Sequence, residues 1–140
     1  MIPITLTARL GAEPELRFSA KGTAIASMRL ATSKRIKDPT TGEWSDGPTT
    51  WLGATAWDQL TEQIAESALE KGTELIVSGD LHERSWTGKD GQERKVLELR
   101  IRSIGPTITS RQRVTVTRGV VRQAATEQSF SDEWTTEGGF

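Results

Sequence analysis

A regular alternation of apolar and polar residues opens the chain. From Ile2 to Leu10 every second residue is apolar, and this period of two predicts a β-strand. Pro3 restricts the start of that strand to a sheet edge or to the first strand positions. Residues 11–14 are typical of a turn, and residues 24–31 (AIASMRLA) predict a second strand whose alternation is blurred by small side chains.

The stretch 49–57 (TTWLGATAW) predicts a third strand with two unlike faces. In an extended segment Leu52, Ala54 and Ala56 share the face that suits a core, while Trp51 and Trp57 lie on the other. An indole that faces solvent can stack on any nucleic-acid base. The more common fate of tryptophan is burial under another element, so both interpretations stand at this point.

One helix and two further strands complete the pattern. Residues 58–69 predict a helix with Asp58 as its N-cap and Gly72 beyond its end, and its apolar stripe consists of Leu60, Ile64, Ala68 and Leu69. Residues 73–81 and 94–104 predict two strands joined by a hairpin that turns at Asp90-Gly91. Three strands, one helix and two strands are the order of the five-stranded OB-fold, a mainly β Greek-key barrel that binds oligonucleotides or oligosaccharides.

Two long hairpins carry candidate ligand-binding residues. Residues 32–48 are rich in Pro, Gly, Asp and Ser and predict a long basic loop, which holds Lys34, Arg35, Ile36 and Lys37 and also Trp44. Its cations suit a phosphate backbone, or they belong to an ordinary solvated loop.

The other hairpin places Trp86 at an exposed tip, between Arg84 and Lys89. A tryptophan at a loop tip has little core to join, which favours a ligand contact. The alternative is an apolar clasp that holds the hairpin against the barrel. Trp44 is a weaker candidate of the same kind, because it can also pack onto its own hairpin.

Composition argues against catalysis and cofactors. The chain has no cysteine and a single histidine, His82, so we expect no metal site, no cofactor and no nucleophile-histidine pair. The acids Asp38, Asp46, Asp80 and Asp90 are scattered over loops and strand ends, which makes a metal-dependent nuclease a remote alternative. With no leader-like segment and no membrane-length apolar run, we expect a cytoplasmic, nucleoid-associated protein without membrane contact.

Charge is unevenly distributed along the chain. The 18 Lys and Arg residues and 19 Asp and Glu residues give a net charge of −1. No basic residue lies in 124–140, whereas that segment holds four of the acids, so the rest of the chain is mildly basic. The segment has too few apolar residues to fold on its own and is predicted to be a disordered acidic tail.

Residues 1–109 resemble the bacterial single-stranded DNA-binding protein family. The motifs that carry the resemblance are PELRF, a W-x5-W strand, AES followed by KGT, SGDL and R-x-W-x3-DG, in this order. The resemblance implies a non-enzymatic OB-fold domain that protects single-stranded DNA during replication, recombination and repair. It also implies stacking by Trp51, Trp57 and Trp86, phosphate contacts by basic side chains, and a homotetramer, with a dimer as the alternative.

Several positions depart from the family pattern. Ile36 stands where many relatives have a further Trp or Phe, and Thr7-Ala8-Arg9 replaces the usual Val-Gly-Asn. Residues 110–123 are either an extra strand, as in the similar actinobacterial subgroup, or a basic linker. The terminus, with Asp132, Glu133 and Phe140, resembles the family's acidic tip that docks replication and repair proteins, although a plain solubilising tail is the alternative. An OB-fold protein-interaction module of the primosome type is the alternative function.

Overall fold

The protein forms a β-barrel with one helix in the region that its structure, a computed structural model, describes, residues 1–118. The strands are β1 Ile2–Leu10, β2 Glu15–Phe18, β3 Ala24–Lys37, β4 Trp44–Trp57, β5 Glu74–Thr87 and β6 Glu93–Pro106, and the helix is α1 Gln59–Glu66. The predicted mainly β class, with the helix after the TTWLGATAW strand, is confirmed. Part of the extra segment, 119–123, and the predicted tail, 124–140 with Asp132, Glu133 and Phe140, lie outside the described residues.

Strand pairing closes the barrel. The sheet order is β1-β5-β6-β4-β3-β2, and β1 also pairs with β3 at its far end, where Arg9 and Leu10 face Ala31 and Leu30. Most pairs are antiparallel, whereas β4 and β6 run parallel over a short ladder from Gly53 to Thr55. Within the closed part of the barrel, side chains therefore alternate between a filled interior and an outer surface.

The interior is filled by the apolar residues that the alternation predicts. Leu10, Leu30, Leu75, Val77 and Leu99 are completely buried, and burial of each such side chain stabilises the fold by about 1.5–3 kcal/mol. Small residues of β4 contribute to the same cluster, so the predicted core face of that strand is confirmed.

The short strand β2 was not among the predicted strands. Glu15–Phe18 pairs antiparallel with residues 24–27 at the start of β3, yet all four of its side chains are exposed. A strand with neither face buried lacks the alternation that burial imposes on a sequence. The sequence pattern that would predict β2 is therefore weak.

The prediction of a long loop at 32–48 is wrong, because most of these residues lie in strands. β3 continues to Lys37 and β4 begins at Trp44, so the two strands form a paired arm that leaves only residues 38–43 as a turn. The Asp38 carboxylate accepts hydrogen bonds from the backbone N–H groups of Thr40, at 2.7 Å, and Thr41, at 3.3 Å. These bonds hold the pKa of Asp38 below its usual value.

The helix is shorter than predicted and is capped differently. Asp58 precedes it with φ 57° and makes no side-chain capping bond, because its backbone is not in the extended conformation that an N-cap requires. The buried Thr61 hydroxyl instead donates to the carbonyl of Ala56 at 2.9 Å, which ties the first turn to β4. Ala68, predicted to lie on the helix stripe, has a left-handed backbone with φ 48°, and the helix has already ended at Glu66. Within residues 1–118 no helix is long and apolar enough to cross a membrane.

Gln112 anchors the chain after the last strand. Its side-chain amide accepts from the N–H of Glu74 at 2.9 Å and donates to the carbonyls of Glu74 and Thr107, each at 2.8 Å. Residues 113–118 follow without regular secondary structure. The alternatives of an extra strand or a basic linker therefore stay predictions.

Candidate nucleic-acid interface

One outer face of the barrel collects aromatic and charged side chains from four strands. The pairing register sets Arg29 on β3 beside Gly53 on β4, Gly53 beside Glu98 on β6, and Glu98 beside His82 on β5. Register partners point to the same side of a sheet, so these residues form one continuous row across the surface. We call this surface the groove face.

Trp51 is a half-exposed platform on the groove face. Its side chain is 50% exposed, and the guanidinium carbon of Arg29 lies 4.8 Å from the ring centroid. Gly11 leaves room for the indole, because a Cβ at that position would meet the ring at 2.5 Å. The ring is therefore oriented by its neighbours while part of it stays open to solvent.

Trp57 lies further along the same strand and is partly covered by a second cation. The guanidinium carbon of Arg100 lies 5.4 Å from its ring centroid. Thr55, which lies between the two tryptophans on β4, is 6% exposed and is the register partner of Arg100 on β6. The predicted outward direction of Trp51 and Trp57 is thus confirmed, although Trp57 is only partly exposed.

Trp44 reaches the same face through an irregularity in the strand pairing. Simple alternation places Trp44 opposite to Trp51, because the two are an odd number of residues apart. Between Ser33 and Arg35 the ladder shifts by one residue, so that Trp44 pairs with Lys37. Such a bulge reverses the alternation on β4, which returns Trp44 to the side of Trp51.

The paired arm divides the predicted basic residues between two faces. Lys37 lies 5.9 Å from the centroid of the Trp44 ring, and Arg35 makes a 3.5 Å ion pair with Asp46 on the same side. Lys34 and Ile36 alternate to the opposite side of β3. The structure therefore groups Arg35 and Lys37 with Trp44 but does not bring Lys34 or Ile36 to the groove face.

Trp86 lies within β5 and not at the predicted loop tip. It pairs with Arg94 across the hairpin and is 41% exposed. The guanidinium carbon of Arg84 is 5.2 Å from its ring centroid, while the Arg84 Nε forms an ion pair with Glu98 Oε2 at 3.0 Å. The hairpin turn begins after Thr87, and Lys89 lies there, beyond the groove face, with an exposed side chain.

The groove face contains charged residues that sequence reasoning did not select. Arg29 and Arg100 cover the two platform indoles, and an open pocket of about 390 Å³ beside Trp57 is lined by Arg17, His82 and Glu98 among others. The alternation in RKVLELRIRSI does place Glu98 and Arg100 on the outer side of β6. It gives no information about which tryptophan they approach, because that depends on the parallel β4–β6 pairing.

In the described part of the chain, the acidic residues of the groove face are not arranged as a metal site. Among residues 1–118 there is no group of three His, Asp or Glu side chains placed to hold a metal ion. Its acids are instead paired with cations, as in the 3.6 Å contact between Asp80 and Arg102. What the face offers is flat aromatic surface beside positive charge.

Comparison with known proteins agrees with this geometry. Residues 1–107 match the model of the "Single-strand binding protein family". The chain belongs to this family. Among curated members of the single-strand binding protein family, the single-stranded DNA-binding protein of Paenarthrobacter aurescens is 44% identical over 75% of this chain and 61% of its own length. The protein of the same name from Mycobacterium tuberculosis is 42% identical over 75% of this chain and 63% of its own length.

Solved structures of the family share the barrel. The small single-stranded DNA-binding protein from Streptomyces coelicolor superposes with a TM-score of 0.63 at 28% identity, over 76% of this chain and 94% of that one. Plasmodium falciparum SSB in complex with ssDNA superposes with a TM-score of 0.59, also at 28% identity, over 75% of this chain and 91% of that one. The predicted OB-fold and the predicted family are confirmed. The matched region spans just over three fifths of the curated relatives.

Proposed function

We propose that this chain binds single-stranded DNA with little sequence preference and protects it during replication, recombination and repair, without turnover. The observation that carries the proposal is that all four tryptophans in residues 1–118 lie on the outer surface with a Lys or Arg against the ring. Indoles stack on unpaired bases, and the adjacent cations are placed to meet the phosphates that flank each base.

Single strands are the expected ligand because pairing hides the base faces. Each stacked base contributes about 1–3 kcal/mol to binding. Release of counterions by the groove cations makes binding weaken as salt rises. In this proposal Trp51 and Trp57 provide a rigid platform, and the arm with Arg35, Lys37 and Trp44 and the hairpin with Arg84, Trp86 and Lys89 extend the path.

A fluorescence titration of the full chain tests the proposal. We expect an unstructured oligothymidine to quench tryptophan emission and a duplex of equal length to do so far less. The quench should reverse as salt is added. If oligothymidine leaves the emission unchanged, the chain does not bind as proposed. An OB-fold protein-interaction module would give that result and would bury the same aromatic face against a partner chain.

Assembly and partner docking extend the proposal. We propose a homotetramer, or at least a dimer, supported by Ile2 on β1 and Ile76 on β5, which are exposed in the single chain. Measurement of mass in solution, with and without oligonucleotide, tests the assembly.

Asp132, Glu133 and Phe140 are proposed to dock replication and repair proteins. Binding to DNA in this way would place the protein at the nucleoid, in the cytoplasm.

A further inference from the structure

A carboxylate lies in the middle of the groove face, where a polyanion is proposed to bind. Glu98 pairs in register with Gly53 on one side and with His82 on the other. Its side chain is only 16% exposed. Negative charge at this place opposes phosphate binding, so Glu98 requires a physical account other than attraction to the backbone of the ligand.

The ion pair of Glu98 with Arg84 leaves acceptor capacity on the carboxylate. Arg84 Nε lies 3.0 Å from Oε2, and a carboxylate offers about four lone-pair sites on its two oxygens. An ionised carboxylate accepts at both oxygens and donates at neither. The remaining acceptor sites therefore suit a donor supplied by the ligand.

The surface beside Glu98 has room for a base. A Cβ added to Gly53 would meet no atom within 4 Å, so the row between Trp51 and Trp57 is open directly next to the carboxylate. The pocket of about 390 Å³ that Glu98 and Trp57 line continues this space. A base lying here would present its hydrogen-bonding edge, and not its phosphate, to Glu98.

We propose that Glu98 accepts a hydrogen bond from the exocyclic amino group of a base, so that the groove favours cytosine over thymine at this position. This inference rests on the proposed function. Cytosine offers its N4 amino group as a donor to carboxylates, whereas thymine carries the O4 acceptor at the corresponding atom. An acceptor facing a carboxylate is repelled, so the two pyrimidines differ in the contact although they are equal in ring size.

The test compares oligocytidine and oligothymidine of equal length at neutral pH, with the intact chain and with Glu98→Gln. Gln keeps the shape and an oxygen for Arg84, but its amide can also donate to thymine O4. We expect the ratio of the two dissociation constants to move toward thymine by about five- to ten-fold in Glu98→Gln. The stiffness of each free oligonucleotide is the same in both titrations. It therefore cancels when the ratio for Glu98→Gln is compared with the ratio for the intact chain.

Two controls separate base recognition from charge and from positioning. Glu83→Gln removes the same charge from the same hairpin, but Glu83 alternates to the other face and pairs with Lys95 at 3.3 Å, so it should leave the ratio unchanged. Arg84→Gln removes the partner of Oε2 and should weaken both oligonucleotides while the ratio keeps its cytosine bias.

The outcomes are distinct. If Glu98→Gln, folded by circular dichroism, changes both affinities by the same factor, Glu98 does not read the base and the inference is wrong. If Arg84→Gln abolishes the cytosine bias by itself, the bias belongs to Arg84 and the inference is also wrong. If the intact chain binds neither oligonucleotide, the proposed function fails and the inference fails with it.

Discussion

The guanidinium carbon of Arg29 lies 4.8 Å from the centroid of the Trp51 ring, so this half-exposed indole carries a cation before any ligand arrives. Trp51→Ala should therefore weaken binding of oligothymidine by about 1–3 kcal/mol, because one stacking surface is lost. The melting temperature should change little, because the side chain contributes little to the core. Trp51→Phe keeps an aromatic ring, so its affinity for oligothymidine should lie between those of the intact chain and Trp51→Ala. A lower melting temperature with intact binding would mean that the strand is turned the other way.

Arg100→Gln tests whether the cation over Trp57 meets a phosphate. If Arg100 neutralises one phosphate, the slope of log affinity against log salt should become shallower by about 0.7. Arg111→Gln is the matched control, because Arg111 lies after β6 and away from the groove face. An unchanged slope in Arg100→Gln would restrict that residue to packing on the indole.

Gly79→Ala should destabilise the barrel. A Cβ at Gly79 would overlap the carbonyl group of Arg100 at the register shift between β5 and β6. Forcing the strands apart typically costs about 1–3 kcal/mol, which urea denaturation would measure. Gly105→Ala is the control in the same pair of strands, because a Cβ there meets no atom within 4 Å. Equal stability of the two variants would contradict the close approach.

Gln112→Ala should release the chain that follows the barrel. The side-chain amide connects Glu74 and Thr107 through three hydrogen bonds, each worth about 0.5–1.5 kcal/mol in net stability. Hydrogen exchange at the Glu74 amide should become faster in the variant. Ser110→Ala, which alters an exposed neighbour, should leave that exchange rate unchanged. If the Glu74 amide exchanges at the same rate in both variants, backbone bonds and not the Gln112 side chain hold this segment.

The arm turn should respond to acid through Asp38. Hydrogen bonds from Thr40 and Thr41 lower the pKa of this carboxyl from 3.8, so its stabilising effect is complete above the ordinary value and is lost as pH falls through the lower folded value. The amide signal of Thr40 in NMR should report this loss. Asp38→Asn keeps an acceptor but cannot titrate, so its Thr40 signal should stay constant. A response that persists in that variant would point to another group.

Alternation predicted which face of each strand is buried. The period of two in β1 and in TTWLGATAW places Leu52, Ala54 and Ala56 inward, as the structure has them, because one buried face imposes that period on a strand. The outward position of Trp51 and Trp57 follows from the same rule. The order of three strands, one helix and two strands added the barrel topology, which alternation alone does not determine.

Alternation along one strand does not reveal which distant strands pair or in which register. The arm at 32–48 looked like a loop because Gly, Pro and Asp are depleted in strands, yet cross-strand bonds stabilise it. The position of Trp44 depends on a bulge, and a one-residue shift exchanges the faces of everything beyond it. Glu98 and Arg100 became parts of the groove face only through the parallel contact of β6 with β4, which joins residues far apart in sequence.

The separation of the two platform indoles sets a minimum ligand length. Trp51 and Trp57 are six residues apart on one strand, a distance of up to about 20 Å at the usual rise per residue. Bases in a stacked strand repeat about every 3.4 Å, so neighbouring bases cannot occupy both rings. Oligonucleotides too short to bridge this distance can use one indole at a time, and affinity should rise abruptly once a strand spans both.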